Sequence, residues 1–343
     1  MYIPILKNRT VEISILRELI DSTLSKKTYP MLEIIQMKSR KTSQKTYHKE
    51  LYEIFEKTKQ PFLLDIPKLT ATKSTPASVQ DFMIHTKRSD FILEQFTACK
   101  NIPGLIPVQS FRSDQILSMD QIYSDAYALD ELYSKKALRI TPTQFDQLGT
   151  ENLNFLNPSD ILIFDIGVST HAQPAFQETY KDLNKLKEKS ITTIIVNSNR
   201  PQSLYNKDLV DGRPILQIDN SLRDAYENYN FCGFGDYACI SSNLPISGGR
   251  ISPAGIYYST KDNYFVGYRG EAPSLSEFES HIAPSIVKSE YWRKYNSDHQ
   301  KICPGCRKIK NIVDGKTSGK SQPLWKGIAT SHYIYSIDEY MDG

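Results

Sequence analysis

Short apolar runs along the chain are each interrupted by a charged or amide side chain, and these side chains are the first candidates for chemistry. Because side chains alternate across a β-strand, Glu33 lies on the opposite face from Leu32 and Ile34, and the other interruptions follow the same rule. Carboxylates gathered on one face can hold a divalent cation or act as a general base. The predicted set comprises the carboxylates of Glu33, Asp65, Asp165 and Asp236, the cations Lys7 and Arg139, and the amide of Asn197.

Two interpretations of this set stay open. In the first, the carboxylates are catalytic and hold Mg²⁺, Mn²⁺ or Ca²⁺ through oxygen ligands, while Lys7, Arg139 and Asn197 bind an anionic substrate. In the second, the cations and the carboxylates neutralise one another in a buried salt-bridge layer that performs no reaction. No spacing motif selects a metal or decides between the two.

A basic segment follows the second apolar run. It carries several lysines and arginines, among them Lys38 and Arg40, before its first carboxylate at Glu50. Such a segment can attract phosphate or nucleic acid through its electrostatic field, which makes Lys38 and Arg40 candidate substrate-binding residues. The alternative is an ordinary solvated loop.

Four metal-ligating side chains occur near the end of the chain: His299, Cys303, Cys306 and His332. The Cys-Pro-Gly-Cys sequence is the kind of tight turn that holds structural Zn²⁺, and the two histidines would complete a four-ligand set. The alternative is a turn with two free thiols, since a second Cys-x-x-Cys pair is missing from the sequence. The surrounding basic residues suggest a nucleic-acid contact: Lys301, Arg307, Lys308, Lys310, Lys316 and Lys320.

The elements that must position these residues alternate between β-like and helical patterns. Amphipathic helical stretches separate eight short runs rich in β-branched residues, which predicts parallel strands that close into a (β/α)8 TIM-like barrel. The barrel interior would then receive the whole charged set at the carboxyl ends of its strands. The predicted strands cover residues 3–6, 31–35, 62–66, 104–108, 137–140, 161–166, 192–196 and 231–240.

Beyond residue 240 the alternating pattern ends, and Gly, Pro and Ser residues frequently interrupt the apolar runs. Residues 255–259 and 264–268 predict a β-hairpin that turns at Asp262 and Asn263, and the Lys-, Gly- and Ser-rich stretch 302–324 predicts a loop. We therefore predict a barrel over residues 1–245 and a C-terminal extension over 246–343 that packs on the barrel. A possible zinc-knuckle turn lies within 299–332.

The composition is that of a water-soluble protein. The chain has 343 residues, 39% hydrophobic and 24% charged, with a net charge of +3 that does not by itself imply a polyanionic partner. No apolar run approaches the ~18 residues that a membrane span requires. Five cysteines at irregular spacing do not form a disulfide framework, which suits a reducing compartment. We expect a cytoplasmic protein without membrane contact.

Several short motifs along the chain carry a family resemblance: residues 2–7 with Glu18 and Leu19, residues 30–34, residues 234–237, Pro253 with Ala254, and Trp325 with Ser331 and His332. In these motifs the sequence resembles the Beta protein family of phage and bacterial proteins. The resemblance implies a bacterial or phage setting, with genes concerned with phage defence, and it draws attention to Lys7, Glu33, Asp236 and His332. It implies no reaction.

Together these observations lead to three hypotheses of function. The first is a defence-associated, metal-dependent hydrolase of a phosphate-bearing substrate, a nucleotide or a nucleic acid. The second is a non-catalytic sensor or partner-binding barrel of a phage-defence system, with an operon-encoded protein as its partner; this predicts an inner ring fully engaged in mutual salt bridges and no open cavity. The third is a nucleic-acid-binding protein that uses the tail.

Overall fold

The chain folds around a closed barrel of eight parallel strands. The computed structural model describes residues 1–21, 24–111, 117–246, 248 and 251–342. The barrel order is β1 to β7 followed by β9, and β9 pairs with β1 to close it. The predicted (β/α)8 barrel is thereby confirmed. Within the described residues the strands are β1 Tyr2–Lys7, β2 Met31–Glu33, β3 Phe62–Asp65, β4 Leu105–Ser110, β5 Ala137–Ile140, β6 Ile161–Asp165, β7 Thr192–Asn197, β8 Arg213–Pro214, β9 Gly233–Asp236, β10 Ala254–Ser259 and β11 Tyr264–Arg269.

Helices connect the strands and cover the barrel wall. The first helix buries Ile13, Leu16 and Ile20, which recur at helical spacing on one face. The sixth begins with Pro142 and a reciprocal cap between Thr141 and Gln144. The helices are α1 Thr10–Asp21, α2 Tyr47–Phe55, α3 Ala77–His85, α4 Ser89–Cys99, α5 Met119–Leu132, α6 Pro142–Leu148, α7 Phe176–Lys185, α8 Leu222–Ala225, α9 Ala283–Lys288, α10 Glu290–Arg293, α11 Ser297–Ile302, α12 Pro304–Val313 and α13 Gln322–Asp342, with shorter turns at Leu186–Lys189, Asn206–Asp208, Tyr226–Tyr229 and Phe278–Ile282.

The long helix α13 serves as the eighth barrel helix. It runs along α1, where Lys326 pairs with Glu12 and Asp338 accepts hydrogen bonds from Ser25. Ile334 and Ile337 of α13 belong to the same apolar core as the barrel strands. Residues 237–321 therefore form an insertion between the eighth barrel strand and its helix. The predicted domain boundary at residue 245 stays a prediction.

The insertion contains the predicted hairpin and several helices. Strands β10 and β11 pair antiparallel from Ala254↔Arg269 to Ser259↔Tyr264, which confirms the hairpin. The prediction of a loop over 302–324 is wrong, because α12 and the start of α13 lie there. Ile309 and Ile312 of α12 pack into a second apolar core with the hairpin, and this burial outweighs the Lys- and Gly-rich composition.

No helix in the described part of the chain combines the length and the apolar character that a membrane crossing requires.

Candidate functional site

Arg139 is the centre of a charged ring inside the barrel. Its Nη1 atom lies 2.9 Å from Glu33 Oε1 and 2.8 Å from Asp65 Oδ2, and its Nη2 atom lies 2.6 Å from Asp165 Oδ2. Lys7 Nζ lies 3.4 Å from the second carboxylate oxygen of Glu33. The strand register explains the grouping, since Lys7, Glu33 and Asp65 are paired neighbours on β1, β2 and β3.

The ring combines two cations with three carboxylates, so its formal charge is one negative. Burial opposes ionisation of Glu33, but Lys7 and Arg139 hold its pKa below the ordinary value. Burial raises the pKa of Asp65 despite the neighbouring guanidinium, and burial lowers the pKa of Lys7 against the attraction of Glu33. The guanidinium already donates to all three carboxylates, so a divalent ion would have to displace Arg139. The ring therefore has the geometry of a salt-bridge layer.

Tyr237, which the predicted charged set does not include, completes the ring. Its hydroxyl donates to Glu33 Oε1 at 2.7 Å and accepts from Arg139 Nη2 at 2.8 Å. Lys7 Nζ lies 4.7 Å from the centre of its ring. The two residues after it, Ala238 and Cys239, adopt left-handed backbone angles, with φ values of 45° and 63°. A conformation this rare in residues other than glycine marks a constrained turn at the mouth of the barrel.

The prediction that Asp236 and Asn197 point into the barrel is wrong. The carboxylate of Asp236 accepts hydrogen bonds from the hydroxyls of Tyr2 at 3.1 Å and of Tyr333 on α13 at 2.6 Å, which places it between the barrel wall and the eighth helix. Asn197 is paired with Asp236 in the register of β7 and β9 and shares its outward side. Burial raises the pKa of Asp236 to about 6, in spite of the hydrogen bonds from Tyr333, the Ala238 amide and Tyr2.

A cleft of about 1070 Å³ opens beside the ring at the carboxyl ends of the strands. Loops after β1, β2, β3, β7 and β9 line it together with the first turns of α13, and Lys7 belongs to both the ring and the cleft. Active sites of TIM barrels occur at this end. The charged residues of its lining are the cations Lys7, Arg9, Arg40, Arg200 and Lys326 and the carboxylate Glu12. We call this cavity the basic cleft.

The predicted substrate-binding residues of the basic segment divide between two environments. Lys38 and Arg40 are both exposed, and Arg40 lines the basic cleft whereas Lys38 is not part of its lining. Arg9, Arg200 and Lys326 are cleft residues that sequence reasoning missed. Arg9 and Arg200 follow strands β1 and β7 within a few residues, so a search for cations just after predicted strands would have found them.

The four predicted metal ligands of the tail lie together. One candidate ligand atom from each of His299, Cys303, Cys306 and His332 falls within 4.8 Å of the others, and all four residues are buried. The basic residues around them are engaged in ion pairs. Arg307 and Lys308 pair with Glu18 on α1, and Lys310 and Lys316 pair with Asp314. Lys301 and Lys320 pair with Asp298 and Glu279.

Comparisons with known proteins identify a family and leave the reaction open. A search of curated proteins gave no match. Among solved structures, the chain is similar to a protein from Pseudomonas aeruginosa that is provisionally named a dihydrodipicolinate synthetase, with a TM-score of 0.39, 10% identity and 98% of each chain covered. The family described as Beta protein matches residues 2–337. With nearly its whole length matched, the chain belongs to the Beta protein family.

Proposed function

We propose that this protein binds a phosphate-bearing ligand, a nucleotide or a segment of nucleic acid, in the basic cleft. The observation that carries the proposal is the charge of the lining, where Arg9, Arg40 and Arg200 add to the ion-paired Lys7 and Lys326 and Glu12 is the one carboxylate among the described lining residues. That carboxylate, Glu12, already pairs with Lys326 at 2.6 Å. The concave site therefore concentrates positive charge at the end of the barrel where ligands bind.

Arg200 is a lining cation that donates hydrogen bonds to the backbone. Its guanidinium donates to the carbonyl oxygens of Cys239 and Leu204, both at 3.1 Å, so hydrogen bonds hold it without neutralising its charge. Burial of the guanidinium lowers the pKa of Arg200, because desolvation disfavours the cation. An anionic ligand would relieve this cost by supplying a charge-assisted hydrogen bond.

The charged ring supports binding better than the metal-dependent hydrolysis expected from the sequence. Arg139 occupies the position between the carboxylates that a Mg²⁺ or Mn²⁺ ion would need. The ring then lies at the base of the basic cleft and holds Lys7, which is part of the lining. Mutual salt bridges in the ring are the sign that the sensor hypothesis predicts, but that hypothesis also predicts no open cavity, and the basic cleft is open. The setting in phage defence, the cytoplasmic location and an operon-encoded partner stay expectations.

Binding measurements with Arg200→Gln test the proposal. We would titrate the full chain with a labelled nucleoside triphosphate and a short labelled oligonucleotide, using fluorescence anisotropy at two salt concentrations. The variant should bind at least about tenfold more weakly, because a hydrogen bond to a charged group contributes about 1.5–3 kcal/mol. Lys181→Gln, on the exposed face of α7, is the matched control and should bind like the wild type. Absence of binding to both probes at low salt, or equal binding by Arg200→Gln, would overturn the proposal.

A further inference from the structure

We infer that His299, Cys303, Cys306 and His332 form a Cys₂His₂ zinc site that fastens the insertion to the eighth barrel helix. Cys303 Sγ lies 3.4 Å and Cys306 Sγ lies 3.6 Å from His332 Nδ1. A tetrahedral zinc ion with Zn–S bonds of about 2.3 Å and Zn–N bonds of about 2.0–2.1 Å holds sulfur and nitrogen ligands about 3.5 Å apart. The separations therefore already suit a shared ion.

Hydrogen bonds orient both histidines toward the centre of the cluster. His299 Nδ1 lies 2.7 Å from Glu339 Oε2, and His332 Nε2 lies 3.1 Å from the carbonyl oxygen of Tyr258. Each ring therefore turns one nitrogen toward an oxygen acceptor and the other toward the cysteines. Ligating histidines in zinc proteins are fixed in this way by a carboxylate or a backbone carbonyl.

A buried polar atom in the cluster has only a thiol contact. The Nε2 atom of His299 is buried, makes no hydrogen bond of ordinary length and angle, and lies beside the Cys303 side chain. Such an atom costs free energy unless something binds it, and a zinc ion would satisfy it. Thiol hydrogen bonds alone are weak, so the histidines gain little from the cysteines in the absence of a metal.

The location of the ligands shows what the ion would do. His299 comes from α11, Cys306 from the first turn of α12 and His332 from α13, so the ion would join the insertion to the barrel helix. All four side chains are at most 2% exposed, and the protein supplies all four ligands, which is typical of structural rather than catalytic zinc. Gly305 allows the close approach, because a Cβ atom there would lie 2.6 Å from His332 Cβ.

Metal analysis of the full chain, purified without a metal-binding tag, tests the inference. We expect about one zinc per chain, and loss of most of it in Cys303→Ser and His332→Asn. Cys232→Ser and His85→Ala, which alter a cysteine and a histidine outside the cluster, are the matched controls and should keep the metal. Glu339→Gln should keep the fold and weaken zinc affinity about 10- to 100-fold, because it orients a ligand without contacting the ion.

Two further measurements keep the inference falsifiable if the ligand variants do not fold. Cobalt loaded into the chelator-stripped wild type should give the visible absorption of tetrahedral cobalt with thiolate ligands. Chelation should increase hydrogen exchange in α11, α12 and the β10–β11 hairpin more than in the barrel strands. A folded wild type that contains no zinc and takes up neither zinc nor cobalt under reducing conditions would overturn the inference, as would a Cys303–Cys306 disulfide in the native protein. Nucleotide binding in the basic cleft is an independent outcome.

Discussion

Replacing Asp236 with asparagine should change how stability depends on pH. The carboxylate is buried between β9 and α13, and burial raises its pKa from the ordinary 3.8 to about 6. The folded state therefore binds a proton at Asp236 more tightly than the unfolded state, so this group favours folding below pH 4 and the benefit is lost as the pH rises through 6. With about 1.4 kcal/mol for each tenfold change in proton affinity, the loss amounts to about 3 kcal/mol.

Urea unfolding from pH 4 to pH 8 measures this effect as the difference in the free energy of unfolding between Asp236→Asn and the wild type. Other carboxylates titrate in both proteins and cancel, whereas the advantage of Asp236→Asn should grow by about 2.4 kcal/mol between pH 4 and pH 7, because at pH 4 the carboxyl of the unfolded chain is already partly ionised. Asparagine retains the acceptor for Tyr2 and the Ala238 amide and can donate to Tyr333, so the change is close to isosteric. Asp81→Asn, on the exposed surface of α3, should show a flat difference. A flat difference for Asp236→Asn as well would refute the reasoning.

Three other substitutions test the packing of the barrel. Arg139→Met should lower the free energy of unfolding by about 3–5 kcal/mol because it leaves buried carboxylates without their cation, and a loss below about 1 kcal/mol in urea would contradict this. Gly235→Ala places a Cβ atom 2.6 Å from the carbonyl oxygen of Ile3 in the adjacent strand and should cost about 1–3 kcal/mol in the same assay; unchanged stability would argue against this register. Tyr333→Phe removes the hydrogen bond that the Tyr333 hydroxyl donates to the Asp236 carboxylate. This bond is stronger when the carboxylate is charged, so the variant should lower the melting temperature more at pH 8 than at pH 4. An equal loss at both pH values would contradict this prediction.

Alternation of side chains predicted the charged ring where the strand pattern is clear. Glu33 and Asp65 each lie between apolar neighbours, so their side of the strand is unambiguous. In β7 the consecutive apolar residues before Asn197 give no alternation to follow. In β9 the glycines alternate with Phe234 and Asp236, and a glycine shows no preference for either face. The wrong orientation of Asn197 and Asp236 follows from this loss of signal.

The tail illustrates the opposite case, in which side-chain chemistry is more informative than local pattern. Residue type and spacing identified four candidate metal ligands that the fold brings together across 33 residues of sequence, from His299 to His332. Composition failed for α12, since its lysines point outward while Ile309 and Ile312 are buried against the hairpin. In the basic cleft, Arg9 and Arg200 could have been found as cations just after predicted strands, whereas Lys326 could not, because it reaches the cleft only through the return of α13 to the barrel.

The eighth barrel strand, β9, is far in sequence from its helix, α13, and this separation affects how the chain folds during synthesis. Tyr333 follows Asp236 by 97 residues, so a ribosome completes the whole barrel sheet well before it makes the helix that covers the seam between β9 and β1. Until then the surface of β1 and β9 that α13 covers is exposed to water and to other chains, and exposed apolar surface of this kind favours chaperone binding or aggregation. Docking of α13 ends this exposure. The same docking brings His332 next to Cys303 and Cys306, which are synthesised earlier, at the proposed zinc site. Binding of zinc at the proposed site would then be possible only after α13 has docked on the barrel.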